Sequence, residues 1–73
     1  MIKQMTTREI DNIGAYIRAV RKSKGLTLKQ VSTKAGLTES ALSKYENGTR
    51  VPHYDSLMKI LNALEIDLML MDN

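Results

Sequence analysis

The sequence contains no cysteine and only one histidine among its 73 residues. The lack of cysteine excludes disulfides, thiol catalysis and sulfur-ligated metals, and a single histidine gives no basis for a zinc site. No apolar run approaches the roughly 20 residues that a membrane-spanning helix needs. The first fifteen residues carry Lys3, Arg8, Glu9 and Asp11 and lack the apolar stretch of a cleavable signal. We therefore expect a soluble cytoplasmic protein with no cofactor and no membrane partner.

The short chain limits what the protein can be. Residues 1–73 leave room for a single domain, which buries roughly 60% of the surface that its unfolded chain exposes. A substrate pocket of roughly 300 Å³ would consume most of the core of such a domain, so a binding module is favoured over an enzyme. His53, Asp55 and Ser56 carry the groups of a catalytic triad, but residues this close together at a helix start cannot form its geometry. We assign them capping and first-turn roles.

Basic residues are concentrated in the middle of the chain. Between Arg18 and Arg50, eight lysines and arginines face only Glu39 and Glu46, which gives this segment a charge of +6, whereas the two flanks together carry −3. A basic middle with acidic ends indicates one surface for a polyanion such as DNA. A merely solvated helical surface is the alternative interpretation.

Apolar spacing and helix-end signals predict four helices. The first covers about residues 7–24, the second lies between Thr27 and Gly36, the third follows Thr38, and the fourth covers about residues 54–65. The N-terminal signals are Thr6 with Glu9, Thr27 with Gln30, and Thr38, and the C-terminal ones are Gly25, Gly36 and Asn47–Gly48. We interpret all four glycines, Gly14 included, as helix punctuation.

The C-terminal tail supports two interpretations. Leucine and methionine favour a continued helix, but Ile66, Leu68 and Leu70 alternate with other residues in period two, which favours a strand over about residues 66–71. A lone strand has no stability in a monomer, so a strand here needs a partner chain.

The second and third helices meet the size rules of a helix-turn-helix. A shared buried face needs apolar residues at fixed spacing, the closest crossing needs a small residue, and the turn needs a positive φ. The residues at these positions are Val31, Ala35, Leu37, Leu42 and Tyr45 for the face, Ser32 for the crossing and Gly36 for the turn. The spacing therefore predicts a DNA-binding helix-turn-helix.

The run LTLKQVSTKAGLTESALSKYENGTRVP resembles the phage-repressor and Cro-like, XRE-type helix-turn-helix family, and the resemblance extends over about residues 10–65. The ending LMKILNALEIDLMLMD is similar to HipB-type antitoxins, in which this strand pairs with its two-fold mate. The resemblance implies an all-α, lambda-repressor-like domain of four helices whose C-terminal β-strand forms an intermolecular two-stranded ribbon in a homodimer. The implied dimer-interface residues are Ile66, Leu68, Met69, Leu70 and Met71.

The resemblance also implies a DNA-binding surface centred on the third helix, which would enter the major groove. Lys44 would donate to guanine, and Glu39 would accept from cytosine or only favour the helix dipole. Phosphate contacts would come from the start of the second helix and from the segment after the third. The implied DNA-binding residues are Thr27, Lys29, Thr38, Glu39, Ser40, Ser43, Lys44, Asn47, Thr49 and Arg50.

Two further positions concern the scaffold of the family. Arg21 and Glu46 match positions that form a largely buried ion pair between the first and third helices. Leu28 departs from the pattern, because many members have a glutamine there that touches phosphate.

The function that the resemblance implies is sequence-specific repression from an inverted-repeat operator. We expect a HipB-like antitoxin of a type II toxin-antitoxin module that autoregulates its operon and neutralises a HipA-like kinase toxin. The alternative is a stand-alone XRE-type regulator, such as a phage repressor or a restriction-modification controller. A third hypothesis is a protein-interaction module whose basic face meets an acidic partner.

Overall fold

The computed structural model describes residues 3–5 and 13–68. In this part of the chain, four helices form the domain and two three-residue strands lie at its ends. The elements are β1 Lys3–Met5, α1 Ile13–Ser23, α2 Leu28–Ala35, α3 Glu39–Glu46, α4 Tyr54–Ala63 and β2 Ile66–Leu68. The predicted start of the first helix, with Thr6 and Glu9, lies outside the described residues, as do Met69, Leu70 and Met71.

Local hydrogen bonds fix the ends of α2 and α3. The Thr27 hydroxyl accepts from the Gln30 amide at 3.0 Å, and the Gln30 side chain accepts from the Thr27 amide at 2.8 Å, which completes the predicted capping box. Thr38 caps α3 by accepting from the Ala41 amide at 3.0 Å. Gly36 ends α2 at a φ of +73°, a conformation that glycine adopts without steric cost. The sequence-based boundaries of these two helices are confirmed.

The core is formed where the four helices meet. Among the described residues, the side chains with no exposed surface are Ile17, Leu42, Ile60, Leu61 and Leu64. The burial of the helix-turn-helix residues agrees with the spacing. Val31, Ala35 and Tyr45 are buried, and Ser32 at the helix crossing is 2% exposed. Leu37 is partly buried and packs against the core. The shared face of α2 and α3 is therefore part of the main hydrophobic core.

Gly14 is not helix punctuation, and that interpretation is wrong. It lies inside α1, where a Cβ added to it would stand 2.1 Å from the Tyr45 carbonyl oxygen. Any side chain at this position would collide with the backbone of α3. Gly14 therefore permits the close approach of α1 to α3, which sequence spacing could not reveal.

The fourth helix begins at Tyr54, as predicted, but it differs from its prediction in its N-terminal cap and in its C-terminal end. His53 stands at the N-cap position, but its side chain makes no capping hydrogen bond, so the capping role assigned to it is wrong. Asp55 does lie in the first turn. The helix ends at Ala63 and not near residue 65, because Glu65 adopts a left-handed φ of +59° and turns the chain into β2.

The strand β2 covers the first part of the predicted dimerisation segment, and it pairs within the chain. It lies parallel to β1, with Lys3 opposite Ile66 and Met5 opposite Leu68. The sequence did not predict this pairing, which joins the two ends of the chain. Ile66 is buried in the core of its own chain at 4% exposure. The intermolecular ribbon remains a prediction.

Candidate nucleic-acid interface

The helix α3 presents a polar face away from the core. Leu42, Tyr45 and Glu46 are buried, whereas Glu39, Ser40 and Lys44 are exposed and Ser43 is half-buried. The buried residues fix the rotation of α3 about its axis. The outward positions expected from the sequence are therefore those that the packing leaves available to a ligand.

The start of α2 lies beside this face. Thr27, Lys29 and the capping partner Gln30 are all exposed. The Thr27 hydroxyl accepts one hydrogen bond as a cap and retains its own proton to donate. A helix start of this kind offers unpaired backbone amides and a positive dipole end, both of which favour an anion.

The segment after α3 is held by a compact set of hydrogen bonds. The Asn47 side-chain oxygen accepts from the Thr49 amide at 3.0 Å and also from the Thr49 hydroxyl. The amides of Thr49 and Arg50 both donate to the Lys44 carbonyl, at 3.0 and 3.2 Å. The side-chain nitrogen of Asn47 and the guanidinium of Arg50 take no part in these bonds. Because both residues are exposed, these groups are available as donors. Asn47, Thr49 and Arg50, the residues of this segment that were expected to contact phosphate, are all exposed.

A buried ion pair ties α1 to the end of α3. Arg21 donates from Nε to Glu46 at 2.7 Å and from Nη2 to the second carboxylate oxygen at 2.9 Å. Its Nη1 donates to the Leu26 carbonyl at 2.8 Å. The hydrogen bond with Glu46 raises the pKa of Arg21 above its ordinary value. The pair implied by the family resemblance is present, with side chains 9% and 5% exposed.

The positive charge of the central segment is displayed on the surface. Because Arg21 and Glu46 neutralise each other, the charge of +6 between residues 18 and 50 comes from exposed side chains. These are Arg18, Lys22, Lys24, Lys29, Lys34, Lys44 and Arg50, opposed by Glu39. Such a field attracts a polyanion and speeds its encounter with the protein.

An open cleft of about 260 Å³ lies between α1, α2 and α3. Its lining residues are Arg18, Arg21, Leu28, Ser43, Glu46 and Asn47. The cleft brings Arg18 of α1 next to two residues of the expected DNA-binding set, Ser43 and Asn47. Sequence reasoning left Arg18 out of that set, because this neighbourhood joins segments distant in the sequence.

A model of the helix-turn-helix family HTH_3 matches residues 17–70, which include α2, the turn and α3. The chain belongs to the helix-turn-helix family. This result confirms the helix-turn-helix predicted from the spacing of residues 28–45. No solved structure matches the chain significantly.

The helix-turn-helix relatives include proteins named as transcriptional regulators. The chain is 39% identical over 57 residues to the HTH-type transcriptional regulator SlrR of Bacillus subtilis (strain 168), covering 77% of this chain and 38% of that protein. It is 34% identical over 58 residues to the HTH-type transcriptional repressor RghR of the same strain, covering 78% and 43%. It is also 35% identical over 63 residues to Multiprotein-bridging factor 1 of Debaryomyces hansenii, covering 85% and 42%. The matched region spans less than half of each relative.

The helix-turn-helix domain also exposes two large apolar side chains that sequence reasoning did not single out. Val51 is 79% exposed and Tyr54 is 67% exposed, and both lie just beyond Arg50. Their signal in the sequence is weak, because isolated apolar residues near a proline are common in loops.

Over residues 3–5 and 13–68, no helix has the length and apolar character needed to cross a bilayer. Within those residues, no three side chains of the metal-ligating types cluster closely enough to hold an ion.

Proposed function

We propose that this helix-turn-helix domain binds double-stranded DNA as a homodimer and represses transcription from an inverted-repeat operator. The observation that carries the proposal is the exposed polar face of α3, which lies beside the start of α2. Both belong to the segment of residues 18–50, whose exposed side chains carry a net charge of +6. An α-helix fits the major groove, where donors and acceptors on base edges can be read. Relatives with the same domain are named as transcriptional regulators and repressors.

The exposed residues divide into two proposed roles. Lys44, with Glu39 and Ser40, reads base edges, because these side chains project from the outward face of α3. Phosphate contacts come from Thr27, Thr38 and Lys29 near the two helix starts, and from Asn47, Thr49 and Arg50 after α3. Contacts of the second type set the register on the duplex without reading sequence.

The homodimer is proposed because one reading helix contacts few bases, whereas a two-fold pair reads two half-sites about one helical turn apart. In the described part of the chain, β1 pairs with one edge of β2, and the other edge of β2 is where a second copy could add its own strand. The proposed interface comprises residues 66–71, with Leu68, Met69, Leu70 and Met71 contacting the partner.

Two versions of this regulator remain as proposals. A stand-alone regulator, such as a phage repressor or a restriction-modification controller, agrees with relatives named as regulators and repressors. The second version is a HipB-like antitoxin that also binds and neutralises a HipA-like kinase toxin. The apolar sequence of residues 66–71, which follows α4 after a short turn, favours this version. Sequencing the DNA on both sides of the reading frame separates them, because a kinase-like frame next to it supports only the antitoxin.

DNA binding is tested by enriching duplexes from a random pool on the protein and measuring their affinity by fluorescence anisotropy at several salt concentrations. We expect an enriched palindrome and, for roughly six phosphate contacts, a log–log salt slope near −5. Equal affinity for the enriched and the random duplexes would overturn the specific regulator. No binding to either would leave the protein-interaction module as the better hypothesis.

Paired variants test the division of roles. Lys44→Ala is expected to relax base preference at one position in each half-site, because a base-edge contact discriminates by about 1–3 kcal/mol. Arg50→Ala is expected to weaken all sequences equally and to reduce the salt slope by about 1. The reverse result would overturn the assignment of both residues.

A further inference from the structure

The cleft between α1, α2 and α3 contains two arginines in different states. The Nε and Nη2 groups of Arg21 donate to Glu46, and its Nη1 group donates to the Leu26 carbonyl. Arg18 lies one helical turn earlier on α1, is exposed, and makes no ion pair or hydrogen bond with any described residue. With respect to the described residues, the cleft therefore presents one guanidinium that no neighbour engages.

The charge of the cleft follows from this difference. Among the described residues that line the cleft, Glu46 is the only acidic one, and Arg21 neutralises it at 2.7 Å. Arg18 therefore gives the cleft a net charge of +1. The other polar lining residues are Ser43, which carries a hydroxyl donor, and Asn47, whose side-chain oxygen is already occupied by Thr49 and whose amide nitrogen remains to donate.

These groups make a set of donors, and the Glu46 carboxylate beside them is already paired with Arg21. A guanidinium, a hydroxyl and an amide around one opening match the oxygens of a phosphate, which accept several hydrogen bonds at once. A volume of about 260 Å³ admits one such group from solvent. Arg21 and Glu46 form the rigid wall on which this set is arranged.

The position of the cleft indicates where the phosphate would come from. The cleft borders α3, since Ser43 and Asn47 belong to that helix and to its C-cap. An α-helix with its side chains is about 10–12 Å wide and the major groove is about 12 Å wide, so residues at the border of an inserted helix face a sugar–phosphate strand.

We propose that this cleft binds one backbone phosphate of the DNA in each half-site, with Arg18 as the charged ligand and Ser43 and Asn47 as neutral donors. The inference rests on the proposed DNA-binding function and adds α1 to the elements that contact the duplex. It also assigns Ser43 to backbone contact, because this half-buried residue lines the cleft.

The test compares Arg18→Ala with Lys59→Ala. Both variants remove one exposed positive charge, but Lys59 lies on α4 in a separate groove with Lys34 and Asn62. Affinity for a duplex enriched on the wild-type protein is measured by anisotropy across a salt series, with thermal melting to verify that both variants remain folded. A third variant, Arg18→Lys, retains the charge without the planar fork.

For Arg18→Ala we expect roughly tenfold weaker binding at low salt and a salt slope shallower by about 0.9 for each bound protomer, with an unchanged enriched sequence. In ethylation interference, Arg18→Ala should no longer respond to ethylation of one phosphate in each half-site at which ethylation weakens binding of the wild type. Lys59→Ala should match the wild type, and Arg18→Lys should retain the slope while binding more weakly.

Two different failures can be told apart. If the wild-type protein binds its enriched duplex and Arg18→Ala behaves as Lys59→Ala does, the phosphate site is refuted and the proposed function stands. If the wild-type protein binds no duplex, the proposed function fails and the inference fails with it.

Discussion

Replacing Glu46 by alanine should nearly unfold this domain, because it leaves Arg21 buried without its counter-charge. The Arg21 side chain is 9% exposed and gives two hydrogen bonds to Glu46, at 2.7 and 2.9 Å. Breaking a buried pair by removing one partner costs about 3–5 kcal/mol. The adjoining cleft lets water reach the guanidinium, so we expect a value near the lower end, about 3 kcal/mol. A domain of this size rarely has more than about 3–5 kcal/mol of stability in total.

Replacing both partners should cost much less. In Arg21→Met/Glu46→Leu, apolar side chains of similar volume fill the space, and such exchanges are often neutral for the free energy of unfolding. The Leu26 carbonyl loses its donor at 2.8 Å, which costs about 1 kcal/mol. We therefore expect the double variant to lie within about 1–2 kcal/mol of the wild type and well above Glu46→Ala.

Urea denaturation followed by far-UV circular dichroism measures the free energy of unfolding of the wild type, of Glu46→Ala and of the double variant. The reasoning fails if Glu46→Ala loses less than about 1 kcal/mol, or if the double variant is as unstable as that single variant. Because the pKa of Arg21 is raised, its contribution is complete below its unfolded pKa and is lost only in strong alkali. Arg21 should therefore add no pH dependence of stability in the neutral range.

Three backbone and capping predictions follow from the same structure. Gly14→Ala should destabilise the fold by about 2 kcal/mol or more, because its Cβ would collide with the Tyr45 carbonyl. Alanine by itself favours a helix, so a raised melting temperature would contradict the observed approach of α1 to α3. Glu65→Gly should stabilise by about 0.5–1 kcal/mol by relieving the left-handed φ of +59°, and a lower midpoint in urea would contradict this. His53→Ser should supply the missing N-cap acceptor and raise the melting temperature by about 4–8 °C. An unchanged melting temperature would contradict the position of His53 at the start of α4.

The sequence was sufficient wherever the deciding groups lie within one helical turn of each other. The ends of α2 and α3 depend on Thr27 with Gln30, on Thr38 and on Gly36, and each acts on backbone atoms no more than four residues away. Periodicity also fixed which face of α3 is buried, and with it the outward positions of the candidate site. The pair of Arg21 and Glu46 is 25 residues apart, and only the family resemblance implied it.

The tertiary structure decided what depends on segments meeting in space. A glycine looks the same in a sequence whether it ends a helix or admits a neighbouring carbonyl, so the role of Gly14 required the position of Tyr45. The parallel pairing of β1 with β2 joins the chain ends, and local preferences cannot select a partner at that distance. Arg18 became a candidate ligand only when packing brought it to Ser43. Local hydrogen bonding and hydrophobic spacing thus determined the helices, whereas close packing of distant residues determined how they touch and where the clefts lie.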